Sequence, residues 1–242
     1  MENSIPIINI IYVNLISFLC EHSQVNVDEI EKIGNVFNLT VELTSDYDES
    51  HDISHHVDVY KNAIIILKSF EESDKLQMNS NEYHYLCDLL MYSSLLHDTI
   101  DHKYKNRIEE KILCVDNFLK NTVPDKCADI KWIIDNISYS KENKNGYPLH
   151  QNKIIQLARD IVSDADKLEA IGNKGLERCY QFTIASNPGV SDENITKLVV
   201  EHCHDKLLRL KDNFIRTDKG KDMAQPLHMI LVNFVNDHET NQ

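Results

Sequence analysis

The chain has 242 residues, 42% of them hydrophobic and 26% charged, enough to bury a sizeable core and too apolar for a disordered polymer. Its 25 lysines and arginines face 39 aspartates and glutamates, a formal net charge of −14. That excess leaves no field for duplex nucleic acid or an anionic lipid surface, and no basic run supplies one locally; a small anionic substrate stays compatible if a bound cation and a few placed lysines attract it.

Only 6 glycines and 5 prolines interrupt the chain, which favours long helices over a many-stranded sandwich. Residues 5–21 and 27–38 read as two helices, the second opened by Asp28 and Glu29. The first of these, from Ile5 to Cys20, is apolar but broken by Asn9, Asn14 and Ser17. It is too short to span a bilayer and lacks a basic leader, so neither a membrane segment nor a signal peptide is expected. Its isoleucine-rich stripe either completes a bundle or offers a dimer surface. The acidic stretch 39–50 reads as a connector.

Helical periodicity returns over 51–70, with Val57, Tyr60, Ile64 and Leu67 in register, and over 82–97, where Leu86, Leu90, Ser93 and His97 share one stripe. A polar, lysine-rich stretch follows, then helices near 107–120 and 126–138. Turn residues in 140–149 predict a loop. Further helices are expected at 150–163, 166–181, 194–213 and 218–237, with a second loop over 183–194 and Ser191 as an N-cap. No strand pattern emerges, so the expected fold is an all-α helical bundle. The six cysteines form no CxxC pair and read as buried free thiols of a reducing compartment, which places the protein in the cytoplasm.

Three strings carry chemistry. His97-Asp98 closes an apolar helix, so the imidazole points inward and the carboxylate, about 100° further round, reaches the same region. A His-Asp pair alone also fits a core histidine followed by a capping aspartate. A second cluster, His51-Asp52-Ile53-Ser54-His55-His56, opens another helix; His55 begins a stripe with Val59 and Ile66, whereas His51 and His56 fall off it. The third string, Asp164-Ala165-Asp166-Lys167, puts two acids among Leu157, Ile161 and Val162. Nitrogen and oxygen ligands without thiolate point to an octahedral cation such as manganese, iron or magnesium, not a structural zinc.

The order His, His-Asp, Asp resembles the signature of the HD-domain metal-dependent phosphohydrolases. HDISHHVDVYKNA, LLHDTIDHKY, SDADKLEAIG and HCHDKLLRLKDNFIRT each resemble strings of its small stand-alone branch, whose members act on nucleotides. The likeness runs from His51 to the C-terminus, which divides the chain into an N-terminal helical extension packed on the bundle, residues 1–50, and an HD domain, 51–242. The resemblance implies His55, His97, Asp98 and Asp166 as ligands of one divalent metal ion, manganese first, with iron, magnesium and cobalt as alternatives. It implies Asp101 as the group that orients or deprotonates the attacking water, and Lys103 as the cation that meets the substrate phosphate. Asp58 stands where the family carries arginine, so any phosphate contact from that residue is missing. Periodicity favours Asp164 over Asp166, because Leu157, Ile161, Asp164 and Leu168 share a stripe; the motif favours Asp166.

The implied activity is hydrolysis of a nucleoside phosphate by a metal-activated water. Two rivals stand beside it. One is a regulator that keeps the metal and nucleotide but has lost turnover, and the other is a helical interaction protein whose histidines and aspartates are structural.

Overall fold

The computed structural model describes residues 4–23, 25–45, 47, 52–73, 75–100 and 107–240. All of its regular structure is helical, and no strand occurs among the described residues. By contacts the chain divides into two compact units, Met1–Val162 and Ser163–Gln242.

The first unit holds α1 (Ser4–His22), α2 (Val27–Thr44), α3 (Ile53–Glu72), α4 (Ser80–Leu96), α5 (Ile108–Thr122), α6 (Cys127–Asn136), α7 (Tyr139–Asn145) and the start of α8 (Lys153–Glu169). Helix α4 is its axis. Leu86, Leu89, Leu90, Met91, Tyr92, Leu95 and Leu96 are all buried, so this helix is enclosed on most of its circumference. Helix α3 packs along it, α1 packs on α3, and α2 and α6 flank α4. On α1 the buried side is Leu15 and Leu19, whereas Ile7, Ile10 and Val13 face outward. Each fully buried leucine contributes roughly 1.5–3 kcal/mol.

Helix starts are fixed by side chains that satisfy otherwise unpaired amides. Asn26 and Glu29 form a reciprocal capping box on α2, and Asn79 and Glu82 do the same on α4. Asp52 caps α3, accepting from the amides of Ser54 at 2.9 Å and His55 at 3.4 Å. That cap sets where the first turn begins, and therefore where His55 points.

The second unit contains the end of α8, α9 (Gly172–Ser186), α10 (Asp192–His202), a π-helical turn (Cys203–Leu207), α11 (Leu208–Asn213) and α12 (Asp218–Glu239). Helix α9 packs on α10 and α12. The link from α8 to α9 requires glycine twice. Gly172 has φ +76°, and a β-carbon on Gly175 would lie 2.2 Å from the carbonyl oxygen of Ala170.

Several sequence expectations are corrected. The connector expected from residue 39 is helical to Thr44, because Leu39, Thr40, Leu43 and Thr44 are buried and the threonine hydroxyls of 40 and 44 donate to the carbonyls of Val36 and Thr40. Most of the expected loop 140–149 is the short helix α7. The break expected between 163 and 166 is absent: α8 runs unbroken to Glu169, so Asp164 and Asp166 lie on one helix. Helix α9 runs on to Ser186, into the expected loop. Ser191 does occupy the N-cap of α10, but without a side-chain cap bond. All six cysteines are free, and among the described residues no helix is long and apolar enough to cross a membrane.

Helices α7 and α8 are joined by a buried ion pair. Arg159 and Glu142 are both inaccessible, with Nη2 2.6 Å from Oε2, and Arg159 also donates to the Asn136 carbonyl at 2.8 Å and to Asp160 at 3.0 Å. Removing one partner of such a pair strands a charge in low dielectric. Glu142→Ala is therefore expected to cost about 3 kcal/mol in urea unfolding, whereas Glu142→Leu combined with Arg159→Met should cost markedly less. Equal losses in the two variants would show that the pair is not what holds α7.

Candidate metal centre

His55 sits on the first turn of α3 and His97 immediately follows α4; both are buried. Their Nε2 atoms are 3.1 Å apart. The Oδ2 of Asp98 lies 3.7 Å from Nε2 of His55 and 3.6 Å from Nε2 of His97. The Nδ1 of His97 is 2.8 Å from the carbonyl oxygen of Ser94, which can only accept, so Nδ1 carries the proton and the lone pair of the neutral ring is on Nε2. A carbonyl fixing the far nitrogen in this way is the arrangement of a metal-ligating histidine. The Asp98 side chain keeps 35% of its surface exposed, so the pair of imidazoles has an opening towards solvent.

His56, expected to fall off the core stripe, is fully buried, with its ring centroid 4.9 Å from that of His97 and 5.7 Å from that of His55. The helix-wheel expectation missed it because α3 is enclosed on more than one side, with α1, α2 and α4 all packing on it.

The two acids of α8 differ sharply. Asp164 is fully buried and accepts from the amide of Arg216 at 2.8 Å, the amide of Thr217 at 2.7 Å and the hydroxyl of Thr217 at 2.7 Å. The same Thr217 oxygen accepts from the amide of Gly220, capping α12. Burial pushes the Asp164 carboxyl up to about 6, and the donors of Thr217 and Arg216 oppose that rise. Its oxygens are thus committed to the start of α12. Asp166 is only half buried. His55, His97, Asp98 and Asp166 each offer one ligand atom, and these four atoms lie within 4.8 Å of one another. No other such group of three or more His, Cys, Asp or Glu side chains occurs among the described residues.

Asp101 and Lys103 lie outside the described residues, as do His51 and His102. His150 is engaged locally: its Nδ1 accepts from the amide of Asn152 at 3.1 Å, and its ring lies 4.6 Å from that of Trp132. Asp58 forms a half-exposed pair with Lys61 at 3.9 Å, a contact worth little in water.

No family model matches the chain. Two curated relatives do, both uncharacterized. YpgQ of Bacillus subtilis strain 168 is 29% identical over 145 residues, 59% of this chain and 67% of that protein. A protein of Acanthamoeba polyphaga mimivirus is 29% identical over 165 residues, 62% of this chain and 61% of that protein, so the match spans less than two thirds of its length. Among solved structures, an HD-superfamily hydrolase from Bacillus thuringiensis superposes with a TM-score of 0.52 at 20% identity, covering 87% of this chain and 96% of that one. The chain shares the fold of this HD-superfamily hydrolase. Bacillus subtilis YpgQ in complex with ADP superposes with a TM-score of 0.60 at 22% identity, covering 85% of this chain and 97% of that one. In this HD fold the histidine-aspartate pair after α4 and the histidine opening α3 come together as described above.

The different surroundings of the two acids on α8 give a direct test. Asp164→Asn presents an amide N–H to the donors of residues 216 and 217, and should cost about 1–3 kcal/mol of stability while manganese uptake persists. Asp166→Asn should do the reverse, losing most manganese affinity with little change in the unfolding midpoint. Metal loss in the Asp164 variant with metal retained in the Asp166 variant would exchange their roles.

Proposed function

We propose that this chain is a metal-dependent phosphohydrolase acting on a nucleoside phosphate, with His55, His97, Asp98 and Asp166 holding one divalent ion, manganese in preference to iron, magnesium or cobalt. The observation that carries the reading is the convergence of those four ligand atoms within 4.8 Å. Two imidazole nitrogens and two carboxylate oxygens, with no thiolate, suit a hard-to-intermediate cation that leaves further positions for water and substrate. The donor set fits in a second respect. Two Nε2 atoms 3.1 Å apart beside a carboxylate need a proton or a cation among them, and a divalent ion can meet all three groups at once.

When bound, such an ion supplies Lewis acidity towards a phosphoryl oxygen and lowers the pKa of water towards ~7, the value reached at zinc sites. The chain's own residues supply the rest. His97, held by the Ser94 carbonyl, keeps its lone pair on Nε2 throughout. Asp98, a third exposed, marks the side from which a substrate enters. Asp101, three residues on, takes or aligns the proton of the attacking water, a contribution typically of 10²–10⁴-fold. Lys103 offsets the charge that develops on the phosphoryl group. Because the chain carries a net charge of −14, an anionic substrate is drawn in by local cations and not by the overall field. A nucleotide as the substrate class is supported by the ADP in the YpgQ complex and by the motif strings.

A panel of nucleoside mono-, di- and triphosphates incubated with manganese, with phosphate and pyrophosphate both followed, tests the reading. Release of either product by the wild-type protein is expected, with none from Asp98→Ala, which should remain helical by circular dichroism. A protein that takes up manganese and nucleotide without turnover would be the regulator instead, and one that takes up no metal would be neither. Asp101→Ala should keep its manganese and lose turnover by about 100-fold or more. Loss of the metal in that variant would make Asp101 a ligand and leave the water without its assigned base.

A further inference from the structure

The turn that carries Asp98 is anchored from the N-terminal part of the chain. Thr99 is fully buried; its amide and its hydroxyl both donate to the carbonyl of Leu96, at 3.2 and 2.8 Å. Its own carbonyl accepts from the phenol of Tyr47 at 2.8 Å, across 52 positions of sequence. Tyr47 is in turn held in place: its amide donates to the Thr44 carbonyl at the end of α2, and the ammonium of Lys111 on α5 sits 4.0 Å from its ring centroid. Lys111 is itself buried, with 4% of its surface exposed. A buried ammonium on an aromatic face is held more strongly than an exposed one, because less water competes for it. Asp98 therefore lies between two fixed peptide groups, the carbonyl of Leu96 on one side and that of Thr99 on the other.

We propose that Tyr47, backed by Lys111, is a positioning residue for the metal centre: its phenol holds the Thr99 carbonyl, and so fixes the backbone from which Asp98 presents its carboxylate beside His55 and His97. The role rests on the metal-centre reading above. It also gives Tyr47, three residues past the end of α2, a part in the site. A ligand whose backbone is free to rotate pays an ordering cost each time it binds; one held on both sides along the chain pays less. Partners of this kind, one step removed from the ion, commonly change metal affinity by 10–100-fold.

The test is a manganese titration of apo-protein, read by isothermal calorimetry, with thermal unfolding of the same samples. Tyr47→Phe keeps the ring over Lys111 and removes only the hydroxyl. It should weaken manganese binding by about 10-fold with a melting temperature close to wild type. Tyr12→Phe is the matched control: that phenol donates to the Ile30 carbonyl at 3.3 Å and ties α1 to α2, and its loss should leave manganese affinity unchanged. Should Tyr47→Phe fail to fold, Lys111→Arg, which keeps a cation on the ring, is expected to bind as wild type, and Lys111→Met several-fold more weakly. A wild-type protein that binds manganese beside a Tyr47→Phe variant that binds it equally overturns the role of Tyr47 and leaves the metal centre standing; so would equal affinities in the two Lys111 variants. A wild-type protein that takes up no manganese removes the centre itself, and the role with it.

Discussion

Two imidazole nitrogens 3.1 Å apart, with a carboxylate oxygen within 3.7 Å of each, are the arrangement that the first unit is built to hold. Lone pairs and a negative charge brought this close, with both rings buried, oppose folding unless a cation or a proton sits among them. The surrounding structure bears that cost through rigid supports. Asp52 sets the start of α3, the Ser94 carbonyl fixes the ring of His97, and the Leu96 and Thr99 carbonyls hold the turn that carries Asp98. The core of α4 supplies the apolar burial that keeps these supports in register.

The acids of α8 show how one short string divides its labour. Asp164 and Asp166 are two residues apart, so they point some 200° apart around the helix. One carboxylate caps the polypeptide: it receives the amides of Arg216 and Thr217 and, through the Thr217 hydroxyl, orders the first turn of α12. The other remains half buried, with an oxygen able to join the ligand group. A buried carboxylate that already accepts from three donors is a poor metal ligand, because turning to an ion would strand those buried donors. That argument favours Asp166 independently of any motif.

Acidity and function are compatible because the two operate over different distances. A net charge of −14 repels polyanions at the range of the screening length, about 8–10 Å in physiological salt. Inside that range the proposed divalent ion and a few lysines would set the local potential. The fold suits this separation, since His55 and His97 are buried while the outward faces of their helices can carry any charge.

Much of this was legible in the sequence. Helical periodicity, scarce glycine and proline, and the absence of alternating patterns determined an all-α chain, and the strings around His55, His97-Asp98 and Asp166 singled out four residues whose ligand-capable atoms lie close together. Local pattern failed where tertiary contacts overrode it. The burial of Leu39 and Leu43 carried α2 through a stretch that reads as a connector, and α8 continued through two acids because one of them found its donors 52 residues away in Arg216. His56 became a core residue because its helix is enclosed on several sides. Tyr47 carries no motif at all; its contact with Thr99 exists only once α2, α4 and α5 have packed. The sequence by itself determined which chemical groups are present and on which helices, since both follow from residue type and period. Only the tertiary structure decided which of those groups meet, because hydrogen bonds and ligand convergence depend on distances between segments that local periodicity does not encode.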